Sequence, residues 1–535
     1  MNCYLSNLFI LTMCVFLFTS CTFKESGETL FHSIPASETN VDFRNDLTIT
    51  EDFNIYKYRN FYDGGGVAAG DLSGNGLPDL YFSSNMGDNR LYFNRGNFIF
   101  EDVTEQAGVA GSKKWTAGVS LADVNADGLL DIYVANSGEL DDRVNELFIN
   151  NGDGTFTESA AEYGLDDPGY SIHATFLDYN NDGLIDLYLI NNADEAIGNF
   201  DLEINLRQES DSLGGDRLYR NSGGFFTDVT NEMNIYNSII GFALSATASD
   251  VNNDAFTDLY IANDFFERDY LYLNKEGSVF EDILDDESVI RSMSAASMGS
   301  DIADVNNDGW PDIFVLDMLP VDENRTKQVT IFENRERYLD KVRWDYGHQF
   351  TRNVLHLNQG GESYREVSRL SNIHSTDWSW SALLADFNHN GFNDLYVSNG
   401  LLQDITNLDY LQDISNQETM RSIMMDEDMP FERLVDIIPS NPIPNHVYSN
   451  EGGLEFTDRG EEWGLAEPGF SSGAAWADLD GDGALDLVVS QINGPARIYR
   501  NRAVELYPER GHLRVDLRGE GGNTYGIGSR LQVWA

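Results

Sequence analysis

Cysteine is almost absent from this chain of 535 residues. Its three cysteines are Cys3, Cys14 and Cys21, so all of them lie within the first 21 residues. No pair of thiols remains in the long body that follows. Disulfide bonds are therefore excluded as a source of stability for that body.

Positive charge is also scarce. The chain has 34 Lys and Arg residues against 89 Asp and Glu residues, which gives a formal net charge of −55. This excess disfavours nucleic acids and anionic membrane surfaces as partners. A hydrophobic content of 41% with 12% aromatic residues is too rich for a disordered acidic chain. The carboxylates therefore belong to a folded body, and we expect cations to offset them.

Familiar catalytic motifs are missing as well. The sequence has no G-x-S-x-G motif, no H-E-x-x-H motif and no Cys/His pair. Of the eight histidines, His348, His356 and His374 lie nearest to one another, and we expect them to pack or to form hydrogen bonds. These absences favour a binding module over an enzyme, although paired carboxylates can also act on glycans.

The first forty residues have the pattern of a leader and a tether. Residues 8–18 form an apolar run of signal-peptide length that is short for a permanent membrane helix. The Thr19-Ser20-Cys21 that follows resembles the lipobox of bacterial lipoproteins. We predict a signal peptide over 1–20, a lipid on Cys21 and a tether over 21–40. The alternative is an ordinary cleaved signal peptide.

This leader implies a location. A lipidated Cys21 would make the chain an outer-membrane lipoprotein that touches the membrane only through its lipid. Lys24-Glu25 resembles the export signal of Bacteroidetes surface lipoproteins, which indicates the cell surface.

One nine-residue pattern recurs seven times along the chain. The copies are DLSGNGLPD from Asp71, DVNADGLLD from Asp123, DYNNDGLID from Asp178, DVNNDAFTD from Asp250, DVNNDGWPD from Asp304, DFNHNGFND from Asp386 and DLDGDGALD from Asp478. A small, apolar segment precedes each copy and a β-rich run follows it. A third run ends in Asn, and in the first six units a fourth run begins with Phe or Tyr.

Four strands per unit over seven units predict an all-β fold, a seven-bladed β-propeller spanning residues 41–505 with helical and loop insertions. The seventh unit lacks a fourth run. We predict that an N-terminal strand at Asp42–Leu47 supplies it and closes the ring, because closure removes exposed strand edges.

The nonapeptide carries the oxygen ligands that calcium prefers. Positions one, three, five and nine hold Asp, Asn or Ser, position seven can offer its backbone carbonyl, and glycine at position six permits a tight turn. We predict up to seven Ca²⁺ sites; the alternative is a set of turns that bind nothing. The predicted ligands are Asp71, Ser73, Asn75, Asp79, Asp123, Asn125, Asp127, Asp131, Asp178, Asn180, Asp182, Asp186, Asp250, Asn252, Asp254, Asp258, Asp304, Asn306, Asp308, Asp312, Asp386, Asn388, Asn390, Asp394, Asp478, Asp480, Asp482 and Asp486.

The number of carboxylates ranks these sites, because calcium affinity depends on ligand charge. Blade seven offers four and should bind most tightly. Blades two to five offer three, although Ala255 replaces the glycine in blade four. Blades one and six offer two and should bind most weakly.

The pattern resembles the FG-GAP/VCBS repeats of the integrin α-subunit propeller, over residues from about 41 to 501. The stretch GNTYGIGSRLQVWA near the C-terminus resembles the opening of the ASPIC/UnbV domain, which follows such repeats in cartilage acidic protein-like secreted proteins. The resemblance implies that residues 506–535 begin a truncated C-terminal β domain.

Strand order separates two faces. If the calcium loops join the first and second strands, they share one face, and the second-to-third connections lie on the other. Those connections are long at residues 191–216, 317–352 and 400–445, as functional loops often are.

The blade-five insertion mixes basic and aromatic residues and is the best candidate for contacting a ligand; an amphipathic capping helix is the alternative. Trp378 and Trp380 are expected to pack between blades.

We therefore expect a calcium-binding cell-surface module that recognises a protein or glycan on the face opposite the calcium loops. Two alternatives remain open: a glycan-active propeller enzyme, and a structural subunit of an outer-membrane assembly.

Overall fold

The computed structural model describes residues 28–112, 115–138, 143–193, 204–330, 334–416, 434–519 and 521–533. The predicted signal peptide and the lipidation site Cys21 lie outside these ranges. No helix in the described ranges combines the length and the apolar character needed to cross a bilayer.

Short strands dominate the fold. They are β1 (Phe31–Ile34), β2 (Val67–Gly70), β3 (Asp79–Phe82), β4 (Arg90–Asn94), β5 (Phe100–Asp102), β6 (Thr116–Ala122), β7 (Asp131–Asn136), β8 (Glu146–Asn150), β9 (Phe156–Glu158), β10 (Ser171–Leu177), β11 (Asp186–Asn191), β12 (Arg217–Asn221), β13 (Phe226–Asp228), β14 (Ala243–Ser249), β15 (Asp258–Asn263), β16 (Tyr270–Asn274), β17 (Phe280–Asp282), β18 (Met293–Ser294), β19 (Ser300–Ala303), β20 (Asp312–Val315), β21 (Gln349–Phe350), β22 (Val354–Asn358), β23 (Tyr364–Glu366), β24 (Ser379–Ala385), β25 (Asp394–Asn399), β26 (His446–Asn450), β27 (Phe456–Asp458), β28 (Ser471–Ala477), β29 (Asp486–Gln491) and β30 (Arg497–Asn501).

The helices are short and lie between the strands. They are α1 (Ala36–Thr39), α2 (Thr104–Ala107), α3 (Ala160–Tyr163), α4 (Glu323–Val329), α5 (Arg335–Arg343), α6 (Leu408–Ser415), α7 (Gly460–Trp463) and α8 (Ala503–Leu506).

The strands form seven four-stranded antiparallel blades. Blades one to four are β2–β5, β6–β9, β10–β13 and β14–β17, and blade six is β24–β27. Blade five is β19-β20-β22-β23, and blade seven is β28-β29-β30-β1. The structure thus confirms the seven-bladed propeller that the repeats predict.

An N-terminal strand closes the ring, but it is not the predicted one. Strand β1 pairs with β30, with Phe31 opposite Asn501 and Ile34 opposite Ile498. The prediction of Asp42–Leu47 as this strand is wrong, and β1 lies inside the stretch predicted as a tether. Phe43, the aromatic residue of Asp42–Leu47, instead stacks its ring on that of Phe82 in blade one, with 4.7 Å between the ring centroids.

The core lies between neighbouring blades. The second strand of each blade is buried along its whole length, as in β3 and β7. The first strands lie nearest the ring axis, where side chains must be small. A Cβ atom on Gly299 would lie 2.1 Å from the carbonyl oxygen of Trp380, and one on Gly118 would lie 2.4 Å from that of Ile172. This crowding explains the small residues before each nonapeptide.

The blade-five insertion is anchored to blade six. Arg325 on α4 forms ion pairs with Asp377 and with Asp404. Trp378 and Trp380 pack in the hydrophobic clusters beneath this region, as predicted. The described part of the insertion is therefore held against blade six, while α5 presents charged residues to solvent.

The C-terminal segment, defined here as residues 507–533, follows the last blade. No described residue of this segment lies in a helix or a strand, and the start of a β domain here stays a prediction. The segment extends over the face of the ring that carries the nonapeptide loops, where Arg510 and Thr524 contact them. Leu513, Val515 and Leu517, which alternate as in a strand, are exposed.

The ring closure gives the first prediction. Phe31 is 1% exposed and packs against Phe387 and Trp463. Phe31→Ala should lower the free energy of unfolding by about 3–5 kcal/mol, because it leaves a cavity at the joint between the chain ends. Chemical denaturation measures this loss. Leu370→Ala, at a side chain that is 76% exposed, is the control; an equal, small effect of both variants would contradict the closure by β1.

Candidate calcium loops and the opposite face

All seven nonapeptides lie where the sequence places them. Each connects the first and second strands of its blade, and its ninth-position Asp is the first residue of the second strand, as Asp131 is of β7. The loops therefore share one face of the ring, called here the loop face. The second-to-third connections share the other, called here the insertion face.

Hydrogen bonds from the loop backbone orient the ligand oxygens. In blade two, Asp123 accepts bonds from the backbone N–H groups of Asp127 (3.1 Å) and Gly128 (2.8 Å). Asn125 Oδ1 accepts from Asp127, and Asp127 Oδ1 accepts from Leu129. The same bonds recur in blades three, four and five. In blade two, Asp123 Oδ1, Asn125 Oδ1 and Asp127 Oδ1 each accept one of these bonds and keep a second lone pair, which a cation could use.

The ninth-position aspartates are buried between backbone donors. Asp131 Oδ1 accepts from the backbone of Asn150 (2.8 Å) and Oδ2 from that of Val124 (3.0 Å). Burial raises the pKa of this carboxyl to about 7. The other six are also raised, to about 6 for Asp79, about 7 for Asp258 and Asp312, and about 8 for Asp186, Asp394 and Asp486. A nearby cation would favour the ionised form.

The Asn that ends each third strand is a site residue that sequence reasoning left without a role. Asn150 Nδ2 donates to the carbonyl of Leu72, in the loop of the preceding blade, at 2.8 Å. Equivalent bonds run from Asn94 to Leu479, Asn221 to Val124, Asn274 to Tyr179, Asn358 to Val251, Asn450 to Val305 and Asn501 to Phe387. The seven loops are therefore tied into a circle. The recurrence of Asn was the signal for this role.

Blade seven has the most convergent carboxylates. Oxygens of Asp478, Asp480 and Asp486 lie within 4.8 Å of one another. Asp478 Oδ1 is buried and has no hydrogen-bond partner among the described residues. This orphaned oxygen fits a cation ligand. The sequence did not reveal Arg500, whose guanidinium pairs with Asp480 (3.2 Å) and Asp482 (3.4 Å) and offsets part of the loop's charge.

The loops of blades one and six differ from the rest. Ser73 Oγ, at position three of blade one, is buried and has no described partner. In blade six the amide of Asn388 is turned: its Nδ2 donates toward Asp394 (3.3 Å), and its Oδ1 accepts from Arg510 (3.0 Å). A cationic side chain thus adjoins the blade-six loop.

A cavity of about 270 Å³ lies on the ring axis, lined by residues of the first strands and by the segment that precedes β2. Asn60, Asp63 and His173 line it together with small residues of the first strands. Burial raises the pKa of Asp63 to about 7 and lowers that of His173 to about 4. The cavity therefore combines a carboxyl group whose pKa is close to neutral pH with an imidazole that is uncharged at that pH.

The three neighbouring histidines lie apart from this cavity. His356 is completely buried, and its ring nitrogens have no described hydrogen-bond partner. The hydroxyl of Tyr338 lies 2.7 Å from His348 Nδ1. His374 Nδ1 is also buried without a described partner.

The fold and the loops together define a β-propeller with FG-GAP-like repeats. The family model of the FG-GAP-like repeat matches residues 71–134, 123–189, 250–315 and 434–489. The predicted resemblance of the nonapeptide units to FG-GAP repeats is thus confirmed over these residues.

Among curated proteins, the chain is homologous to cartilage acidic protein 1. It is 30% identical to the Homo sapiens protein over 155 residues, which is 26% of this chain and 22% of that protein. It is 36% identical to the Xenopus tropicalis protein over 78 residues, 14% of this chain and 12% of that protein. The alignments thus span only a small part of these relatives.

Two solved structures are similar to this chain at low identity. One is an Agrocybe aegerita lectin described as recognising non-reducing terminal N-acetylglucosamine, with 14% identity, a TM-score of 0.39, and coverage of 75% of this chain and 84% of that one. The other is the V. cholerae biofilm matrix protein Bap1, with 11% identity, a TM-score of 0.36, and coverage of 84% and 88%.

Ala255 gives a prediction for the loops. It stands at the glycine position of blade four with φ of 71°, a left-handed conformation that costs a non-glycine residue about 1–2 kcal/mol. Ala255→Gly should therefore raise the free energy of unfolding by about 1 kcal/mol. Ala248→Gly, in the extended strand β14, should lower it. Equal effects in denaturation experiments would show that the loop is not strained.

Proposed function

We propose that this protein is a calcium-loaded, lipid-anchored propeller that binds an extracellular protein or glycan on its insertion face. One observation carries the proposal: the loop face is occupied by the seven oxygen-rich loops and the C-terminal segment, while the long insertions lie on the other face. An ASPIC/UnbV-like character of residues 506–535 is also part of this proposal.

The direction of β1 supports the orientation. Phe31 pairs with Asn501, whose backbone N–H donates to Asp486 at the loop end of blade seven. The chain therefore enters the ring from the loop face. Phe31 lies ten positions after Cys21 along the chain, a span of at most about 35 Å. A lipid on Cys21 would hold the loop face toward the membrane and leave the insertion face outward.

The insertion face also exposes apolar groups. Large apolar side chains that are exposed on its connections are Tyr56, Ile204, Val321, Leu339, Phe350 and Leu408. Exposed apolar side chains of this kind offer contact area to a ligand. Since the chain carries a net charge of −55, we expect its ligand to be neutral or cationic.

Calcium removal tests the metal part. The full-length Cys21→Ser chain should bind several Ca²⁺ ions and melt at a markedly lower temperature in excess chelator, because the loop carboxylates then repel one another without a counter-charge. Calcium, but not magnesium, should restore the melting temperature. Asp478→Asn should lose one bound ion, whereas Asp46→Asn, at an exposed carboxylate paired with Arg44, should lose none. Unchanged melting with no bound metal would mean that the loops are turns only.

Ligand screening tests the binding face. The labelled chain is applied to a glycan array and to immobilised extracellular proteins, and retained ligands are titrated. Leu339→Asp, at a side chain 39% exposed on α5, should weaken binding at least tenfold by placing a charge in an apolar contact. Ile99→Asp, at a side chain 47% exposed between β4 and β5 on the loop face, is the matched control. Equal binding by both variants would move the ligand site elsewhere.

A second candidate function is glycan turnover. Asp63 and His173 both line the axial cavity, and a carboxyl group with a pKa near 7 suits proton transfer. Release of a shortened glycan in the same screen, abolished by Asp63→Asn, would favour this function over retention.

A further inference from the structure

We infer that Thr524 completes the calcium site of blade two from outside the repeat, so that calcium loading fixes residues 521–530 on the loop face. This inference rests on the proposed calcium function, and it assigns a partner to the C-terminal segment.

The contact is direct. Thr524 Oγ1 donates to Asp123 Oδ2 at 2.5 Å, and the hydroxyl of Tyr525 donates to the carbonyl of Gly128 at 3.1 Å. Both acceptors belong to the blade-two loop. The loop itself offers oxygens from five positions, whereas Ca²⁺ takes six to eight. A threonine hydroxyl that already shares the first-position carboxylate is an oxygen of the right type to extend this set.

Blade two is singled out in two ways. Among the described residues, the other first-position aspartates accept hydrogen bonds only from N–H groups of their own loops, as Asp71 and Asp178 do. The segment also brings guanidinium groups to other loops: Arg510 to Asn388 and Arg530 to Gly309. At blade two the described residues of the segment bring only the hydroxyl groups of Thr524 and Tyr525. These carboxylates are therefore left to pair with a cation from solution.

The rest of the segment is shaped to this face. Gly522 packs so closely that a Cβ atom there would lie 2.6 Å from the carbonyl oxygen of Gly183, in the blade-three loop. Ile527 packs against the hydrophobic cluster between blades two and three. The residues before and after Thr524 in the chain thus hold it in place.

Hydrogen–deuterium exchange of the full-length Cys21→Ser chain tests the inference. Residues 521–530 should exchange at least tenfold more slowly in calcium than in excess chelator or in magnesium. Thr524→Val, which keeps the shape but removes the hydroxyl, should lose this protection and should weaken one calcium site about three- to tenfold, the effect of one neutral contact. Thr524→Ser should retain both. Thr457→Val, at an exposed threonine of β27, is the control.

The outcomes separate this inference from the proposal beneath it. If calcium raises the melting temperature but leaves exchange at 521–530 unchanged, the inference is wrong and the calcium function stands. Wild-type protection and affinity in Thr524→Val would likewise overturn the role of Thr524. If no calcium binds at all, both fall together.

Discussion

The ninth-position aspartate is the constraint on which the rest of the ring depends. Each of these carboxylates holds its own loop through one oxygen and the third strand through the other. The Asn at the end of that strand then reaches the preceding loop. A buried carboxylate with a raised pKa is costly to ionise unless a cation lies nearby. The contacts that assemble the blades therefore also place a carboxyl group where a nearby cation would favour its ionised form.

The sequence revealed those features that each blade builds on its own. Seven copies of one nonapeptide, each with its flanking runs, predicted the strand order, the loop positions and the start of each second strand at an aspartate. These features depend on local hydrogen bonds and on a period-two pattern, which leave the same trace in every copy. The recurring Asn was visible too, but its partner is a backbone carbonyl in another blade, and a carbonyl leaves no trace in residue types.

Features that occur once were beyond prediction. Phe31–Ile34 and Asp42–Leu47 both combine aromatic and polar residues, and only tertiary packing shows that the first pairs with β30 while Phe43 stacks on Phe82. Arg500 lies distant in sequence from Asp480, so its effect on the blade-seven loop required coordinates. The C-terminal stretch alternates like a strand, but a strand forms only where a partner edge is present.

The pairing of Phe31 with Asn501 also sets the order of events in biosynthesis. Strand β1 leaves the ribosome before every other strand of the propeller. Its partner β30 is synthesised only when the rest of the propeller is complete. Until then β1 has no partner strand. The contacts that close the ring therefore join residues that are far apart in sequence, such as Phe31 and Asn501. Such non-local closure slows folding.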